Sequence, residues 1–223
     1  MCAAIGCTTG IVAFLVDFIG VWVVKGKQRA AATGDSWAQT AAIYVAVSAA
    51  LVAVSAALVV WVSPVAGGSG ISEVKAYLQG VRVPMLLRTT TLVAKMVGVL
   101  CSVSGGLLVG KEGPMIHAGA IIAAGVSQGS SKTFRIRTKW LKRFRNDHEK
   151  RDFVSAGAAP GVAAAFGAPA GGVLFAAAEA PTLWPPTPPW RTLLRAATST
   201  RVATPTPLSA PCSTARPRLA QLG

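Results

Sequence analysis

The sequence predicts an all-helical integral membrane protein, on three observations. Of the 223 residues, 52% are hydrophobic and only 13% charged, too apolar and too sparsely charged for an ordinary soluble domain. Two runs are each long enough to cross the hydrocarbon core as helices. Later apolar segments are short and broken by Gly, Pro and single charges, and such breaks at membrane depth point to a transport site.

The first span is residues 3–24, interrupted only by Asp17. A polar connection, "KGKQRAAATGDS", leads to residues 37–66, which carry no charge at all and form the clearest span. "GGSGISEVKAYLQGVRVP" then breaks the chain, and "LRTTTLVAKMVGVLCSVSGGLLVG" resumes as a helix with Lys95 inside it. After "KEGP" a further helix is expected over 114–128, followed by the basic loop "KTFRIRTKWLKRFRNDHEKR". Residues 153–178 are rich in Gly and Ala, which lets membrane helices approach closely. From about Thr198 to Gly223 the chain is Pro, Thr, Ala and Arg without an acid or an apolar period, and reads as disordered.

The net charge of +14 raises nucleic acid as a partner. The bases, however, gather in one loop and the tail, without interleaved stacking aromatics, so no nucleic-acid partner is expected. A basic loop beside apolar spans marks a cytoplasmic face. Cys2, Cys7, Cys101 and Cys212 have neither metal-ligand nor disulfide-framework spacing, so no metal is expected. The first span lacks the basic start of a cleavable signal and is expected to belong to the mature protein, unless the chain has lost what preceded it.

The segment "GGLLVGKEGPMIHAGA" carries the chemistry. Gly105, Gly110 and Lys111 nearly spell a phosphate-binding loop, but Glu112 stands where that loop needs a hydroxyl for Mg²⁺. A nucleotide hydrolase is therefore disfavoured. Pro114 suits a first helical turn, and Gly110 and Gly113 let backbone approach a ligand. Free amides and the positive end of the helix dipole make an anion site. "GGSGIS" offers a second such terminus, with a serine hydroxyl. Two termini converging at mid-membrane hold a dehydrated halide without a full opposite charge, which permits rapid release. Glu112 competes for that place when ionised and swings aside when protonated, which makes it a gate. His117, one turn on, is read as a packing residue rather than a proton relay, and Lys95 and Asp17 as facing the protein interior or snorkelling.

Together "GSGIS", "GKEGPMIHAG", "KRDFVSAGAA" and "AAFGAPAGGVLF" closely resemble the CLC family of chloride channels and chloride/proton exchangers, especially its eukaryotic intracellular, lysosomal and vacuolar branch. The resemblance covers about Ile5 to Ala196 and implies the CLC-type inverted-repeat helical fold, first repeat only, with broken and re-entrant helices. It divides the chain into a CLC-like transmembrane half, 1–196, and an unassigned tail, 197–223. It implies that Ser69, Gly70 and Ile71, with Gly110, Lys111 and Gly113, bind chloride. Glu112 would be the gate and external proton acceptor, and Glu179 the internal proton acceptor. Ser72 departs from the family's proline and Ala178 from the first of its paired glutamates. Trp184 and Trp190 keep the family's spacing, but Pro185, Pro186, Pro188 and Pro189 are expected to break any helix there. The family continues into a second inverted half, so the chain is expected to be a fragment.

The function expected from the resemblance is chloride transport across an endosomal, lysosomal or vacuolar membrane, with counter-movement of protons. The alternatives are a passive voltage-gated chloride channel, or a non-transporting truncated subunit that pairs with full-length CLC protein. The expected partners are chloride, protons, the lipid bilayer, and a second subunit in a homodimer or a dimer with a full-length CLC chain. No covalent chemistry and no cofactor is expected.

Overall fold

A computed structural model describes residues 1–32, 36–81, 83–128, 130–131, 136–137, 147–179 and 189–204. Its described residues form eight α-helices: α1 (Cys2–Ala31), α2 (Trp37–Val62), α3 (Ile71–Leu78), α4 (Thr89–Ser104), α5 (Glu112–Gln128), α6 (Asp147–Phe166), α7 (Pro169–Glu179) and α8 (Pro189–Ala203). A two-residue antiparallel pair, Ser130 opposite Arg137, is the one strand feature among them.

The helices α1 and α2 are long and apolar enough to cross a membrane. At 1.5 Å per residue, α2 runs about 39 Å. Trp37 and Trp61 stand near its two ends, 87% and 85% exposed, where amphipathic rings meet the headgroup layers. The uncharged run does not stay helical to residue 66. Pro64 has no N–H to continue the ladder, so α2 stops at Val62 and a 3-10 turn follows.

Only Ser55 is buried on α2, so an apolar face does not hold this helix in place. Serine hydroxyls about two turns apart do so. Ser55 Oγ donates to the Gly98 carbonyl at 2.8 Å and shares a hydrogen bond of 2.8 Å with Ser102 on α4. Ser63 pairs with Thr91 at 3.1 Å. Ser48 accepts from Lys27 Nζ at 3.3 Å. Lys27 is itself buried and donates to the Ser104 carbonyl, 2.9 Å away at the C-terminus of α4, with the Tyr44 ring 4.2 Å from the ammonium. A cation at that negative helix end, over an aromatic face, joins α1, α2 and α4 without a carboxylate.

Small residues bring the remaining helices together. A Cβ on Gly6 would stand 2.5 Å from the Arg195 carbonyl, and one on Gly10 would stand 2.7 Å from the Ser199 carbonyl, so α1 lies directly on α8. Gly119 of α5 faces the backbone of Gly157 and Gly161 on α6 in the same way. Ala13, Met96, Met115, Ala118 and Ala164 fill the core between α1, α4, α5 and α6. Burying such surface adds little inside lipid, so close contact and interhelical hydrogen bonds carry the association.

The segment expected to be broken and disordered is partly helical. Pro189 begins α8 because a first-turn residue needs no N–H, and the helix runs through residues 197–203. Ser199 Oγ donates to the Pro160 carbonyl at 2.9 Å and Thr200 Oγ1 to the Ala163 carbonyl at 3.3 Å, which fixes α8 to α6. Pro185, Pro186, Pro188, Trp184 and the tail from 205 lie outside the described residues.

The glycines of α5 give a paired prediction. Gly119→Ala meets backbone and should destabilise the protein by about 1–3 kcal/mol. Gly125 has open space around it, so Gly125→Ala should stabilise the helix by up to about 1 kcal/mol. Thermal unfolding in detergent, followed by helical circular dichroism, measures both; equal effects would contradict the α5–α6 contact.

Candidate functional site

The site is built where α3 and α5 begin. Gly70 precedes α3 with φ 88°, a left-handed conformation that glycine adopts without a Cβ penalty. A Cβ there would also strike His117, 2.5 Å from Nδ1. Ser69 is exposed, and its hydroxyl accepts a long hydrogen bond, 3.4 Å, from the Ile71 N–H. Gly113 in the first turn of α5 lies against Ser69, where a Cβ would be 3.1 Å from the serine Cβ and 3.2 Å from its carbonyl. The two motifs, some forty residues apart in sequence, therefore meet.

At the start of α5 the N–H groups of Glu112 and Gly113 have no carbonyl one turn back to bond. Pro114 follows and contributes no donor. The helix starts at Glu112, two residues before the span expected from sequence, and its first described helical bond runs from Met115 N–H to the Lys111 carbonyl at 3.1 Å. What precedes it is the end of a helix, α4, and an irregular stretch through Gly110 in which Val109 N–H bonds the Leu107 carbonyl at 2.8 Å. A phosphate-binding loop needs a strand there, so the nucleotide alternative lacks its structural context.

The Glu112 side chain is half-buried and folds back against Gly110, over the space that a Cβ on Gly110 would fill. Lys111 turns the other way. Its ammonium pairs with Asp17 of α1 at 2.5 Å, while its carbonyl accepts from the Met115 N–H of α5. Asp17 is thus neither buried nor snorkelling alone but half of an ion pair.

Beneath this surface lies a buried polar chain. Lys95 and His117 are 1% and 0% exposed. The His117 Nε2–H donates to the Leu86 carbonyl at 3.1 Å, which leaves Nδ1 to accept from Lys95 Nζ at 2.9 Å. The ring is a packing residue as expected, and it also supports Gly70. Glu73, in the first turn of α3, folds toward Gly68 and accepts from the Ser72 hydroxyl at 3.1 Å. Glu179 ends α7, and its side chain lies outside the described residues. Asp17, Lys27 and Glu73 were not sequence candidates for the site. An isolated charge in an apolar helix was the available signal for Asp17, whereas nothing local identifies the partner of Lys27.

A helical membrane protein with broken helices meeting at exposed amide termini belongs among transport proteins. The family profile described as "Voltage gated chloride channel" matches residues 49–216. The chain is 45% identical over 207 residues to the human "H(+)/Cl(-) exchange transporter 7", covering 90% of this chain and 26% of that protein. It is 42% identical over 197 residues to "Chloride channel protein CLC-c" of Arabidopsis thaliana, covering 86% of this chain and 25% of that one. Among solved structures, a eukaryotic CLC transporter superposes with a TM-score of 0.80 at 27% identity, over 90% of this chain and 36% of its own. A slow cyanobacterial Cl⁻/H⁺ antiporter gives 0.74 at 25% identity, over 91% of this chain and 45% of its own. The chain belongs to the CLC family of chloride channels and H⁺/Cl⁻ exchangers, and spans about a quarter of the length of the curated relatives it matches.

The contact between Gly70 and His117 makes the site sensitive to one methyl group. Gly70→Ala should cost about 1–2 kcal/mol from the left-handed conformation alone. The clash with His117 adds to this. Unfolding in detergent measures the sum, and an unchanged midpoint would contradict the packing of α3 on α5.

Proposed function

We propose that this chain takes part in chloride transport coupled to counter-movement of protons, with Glu112 as the gate. The observation that carries the reading is the meeting of Ser69 with Gly113 and of Gly70 with His117, where unpaired first-turn amides of α5 lie beside a carboxylate. Among the described residues that carboxylate takes no hydrogen bond or ion pair. It is therefore free to exchange its place with an anion.

On this reading the hydroxyl of Ser69 and the amides around Ile71, Glu112 and Gly113 hold dehydrated chloride, with Gly70 and Gly110 allowing the close approach. Lys95 contributes a fixed positive charge behind His117. An ionised Glu112 occupies the anion's place, whereas a protonated one leaves it, so each turnover exchanges proton for anion at one point. Glu179 serves as the inner proton acceptor. The relatives' names, an H(+)/Cl(-) exchange transporter and a chloride channel, support chloride as the anion. The working unit is a dimer of CLC chains, and the resemblance to the intracellular branch argues for an endosomal, lysosomal or vacuolar membrane.

The test is chloride efflux and internal pH recorded together from liposomes containing the chain. Chloride-driven proton uptake is expected. Glu112→Ala should abolish proton movement while chloride still passes, and Glu179→Ala should uncouple the two. Chloride flux without protons in the parent chain would favour a passive channel. No flux from inserted protein would contradict transport by this chain alone and favour a subunit that acts with a full-length partner.

A further inference from the structure

We propose that Asp17 on α1 is a positioning residue for the gate: it holds the Lys111 ammonium and keeps it off the adjoining Glu112 carboxylate. This rests on the reading of Glu112 given above. Asp17 is the only acidic residue in α1, an apolar helix in which an unpaired charge is costly. Its partner comes from 94 residues away and is the immediate neighbour of the gate.

A lysine next to a carboxylate at a helix start has an obvious alternative partner in that carboxylate. The start of α5 already favours a negative charge through its dipole. A second positive group on Glu112 would hold it ionised and oppose the proton cycle. With Asp17 in place, Lys111 is neutralised toward α1, and Glu112 folds back on Gly110 unpaired. The ion pair lies along a cavity of about 480 Å³ between α1 and α4, with Val21, Val24, Val99 and Val103 among its walls. The pair is itself partly exposed, 36% at Lys111 and 53% at Asp17, so its strength is that of a surface pair.

Lys25 of α1 lines the same cavity as Asp17 and Lys111. Lys95 of α4 is bonded to His117, and Glu73 of α3 folds toward Gly68. The part of α6 that faces it, residues 161–166, has no charged residue. Lys111 adjoins Glu112 in the chain and can reach it when Asp17 releases the ammonium.

The test follows the infrared band of the protonated Glu112 carboxyl across pH in the full chain, assigned by its loss in Glu112→Gln. Asp17→Asn is measured in the native background and again in Lys111→Gln. With Lys111 present, the pH at which the band is half-developed should fall by about half a pH unit, the scale of a partly exposed ion pair. With Lys111→Gln, the same substitution should produce no shift. An equal shift in both backgrounds would mean that Asp17 acts through space on Glu112 directly, and no shift in either would mean that the pair is structural; both overturn the proposal. If Asp17→Asn fails to fold, Asp17→Ala and Asp17→Glu are compared, with only the glutamate expected to keep the parent value. The result is separable from the gate itself: proton movement that survives Glu112→Ala removes the gate whatever Asp17 does.

Discussion

Backbone amides inside a membrane must be satisfied by protein, by water or by a ligand, and the architecture of this chain follows from where it leaves them open. Ordinary helices close their own hydrogen bonds, as α1 and α2 do over most of their length. At Gly70 and again at Gly110–Gly113 the chain interrupts its helices and exposes first-turn N–H groups. A pair of such ends in contact is unstable in hydrocarbon unless something negative is held there. On the proposed reading, the carboxylate of Glu112 and a permeating anion both meet that need, so one residue can serve as the gate.

Holding two helix ends together in a membrane protein requires a rigid support that hydrophobic burial cannot supply in lipid. Glycine contacts at Gly6, Gly10, Gly119, Gly157 and Gly161 supply the close approach, and serines supply the sideways bonds. Among the described residues, the buried Lys27 and Lys95 make no salt bridge to a carboxylate; each is satisfied by a carbonyl, a ring or a histidine.

Much of this was legible from sequence because it depends on local rules. Pro114 and the flanking glycines locate the start of α5, and the serine-glycine run locates the start of α3. What escaped depends on long-range pairing or on a rule with two outcomes. No local pattern connects Asp17 with Lys111 or Lys27 with Ser104. Proline breaks a helix internally yet begins one well, and at Pro189 the second outcome applies, so α8 continues where a disordered tail was expected. Conversely, an uncharged run to residue 66 concealed the end of α2 at Val62, because composition marks a span while Pro64 sets its end.

The central claim is that Glu112 and an anion compete for the same amides. Calorimetric titration of chloride into the purified full chain, compared with Glu112→Gln at neutral pH, tests it most directly. The account predicts tighter chloride binding in the variant, where no carboxylate charge contests the site, and a smaller difference as the parent is acidified. Equal affinity in the two proteins at every pH would contradict it.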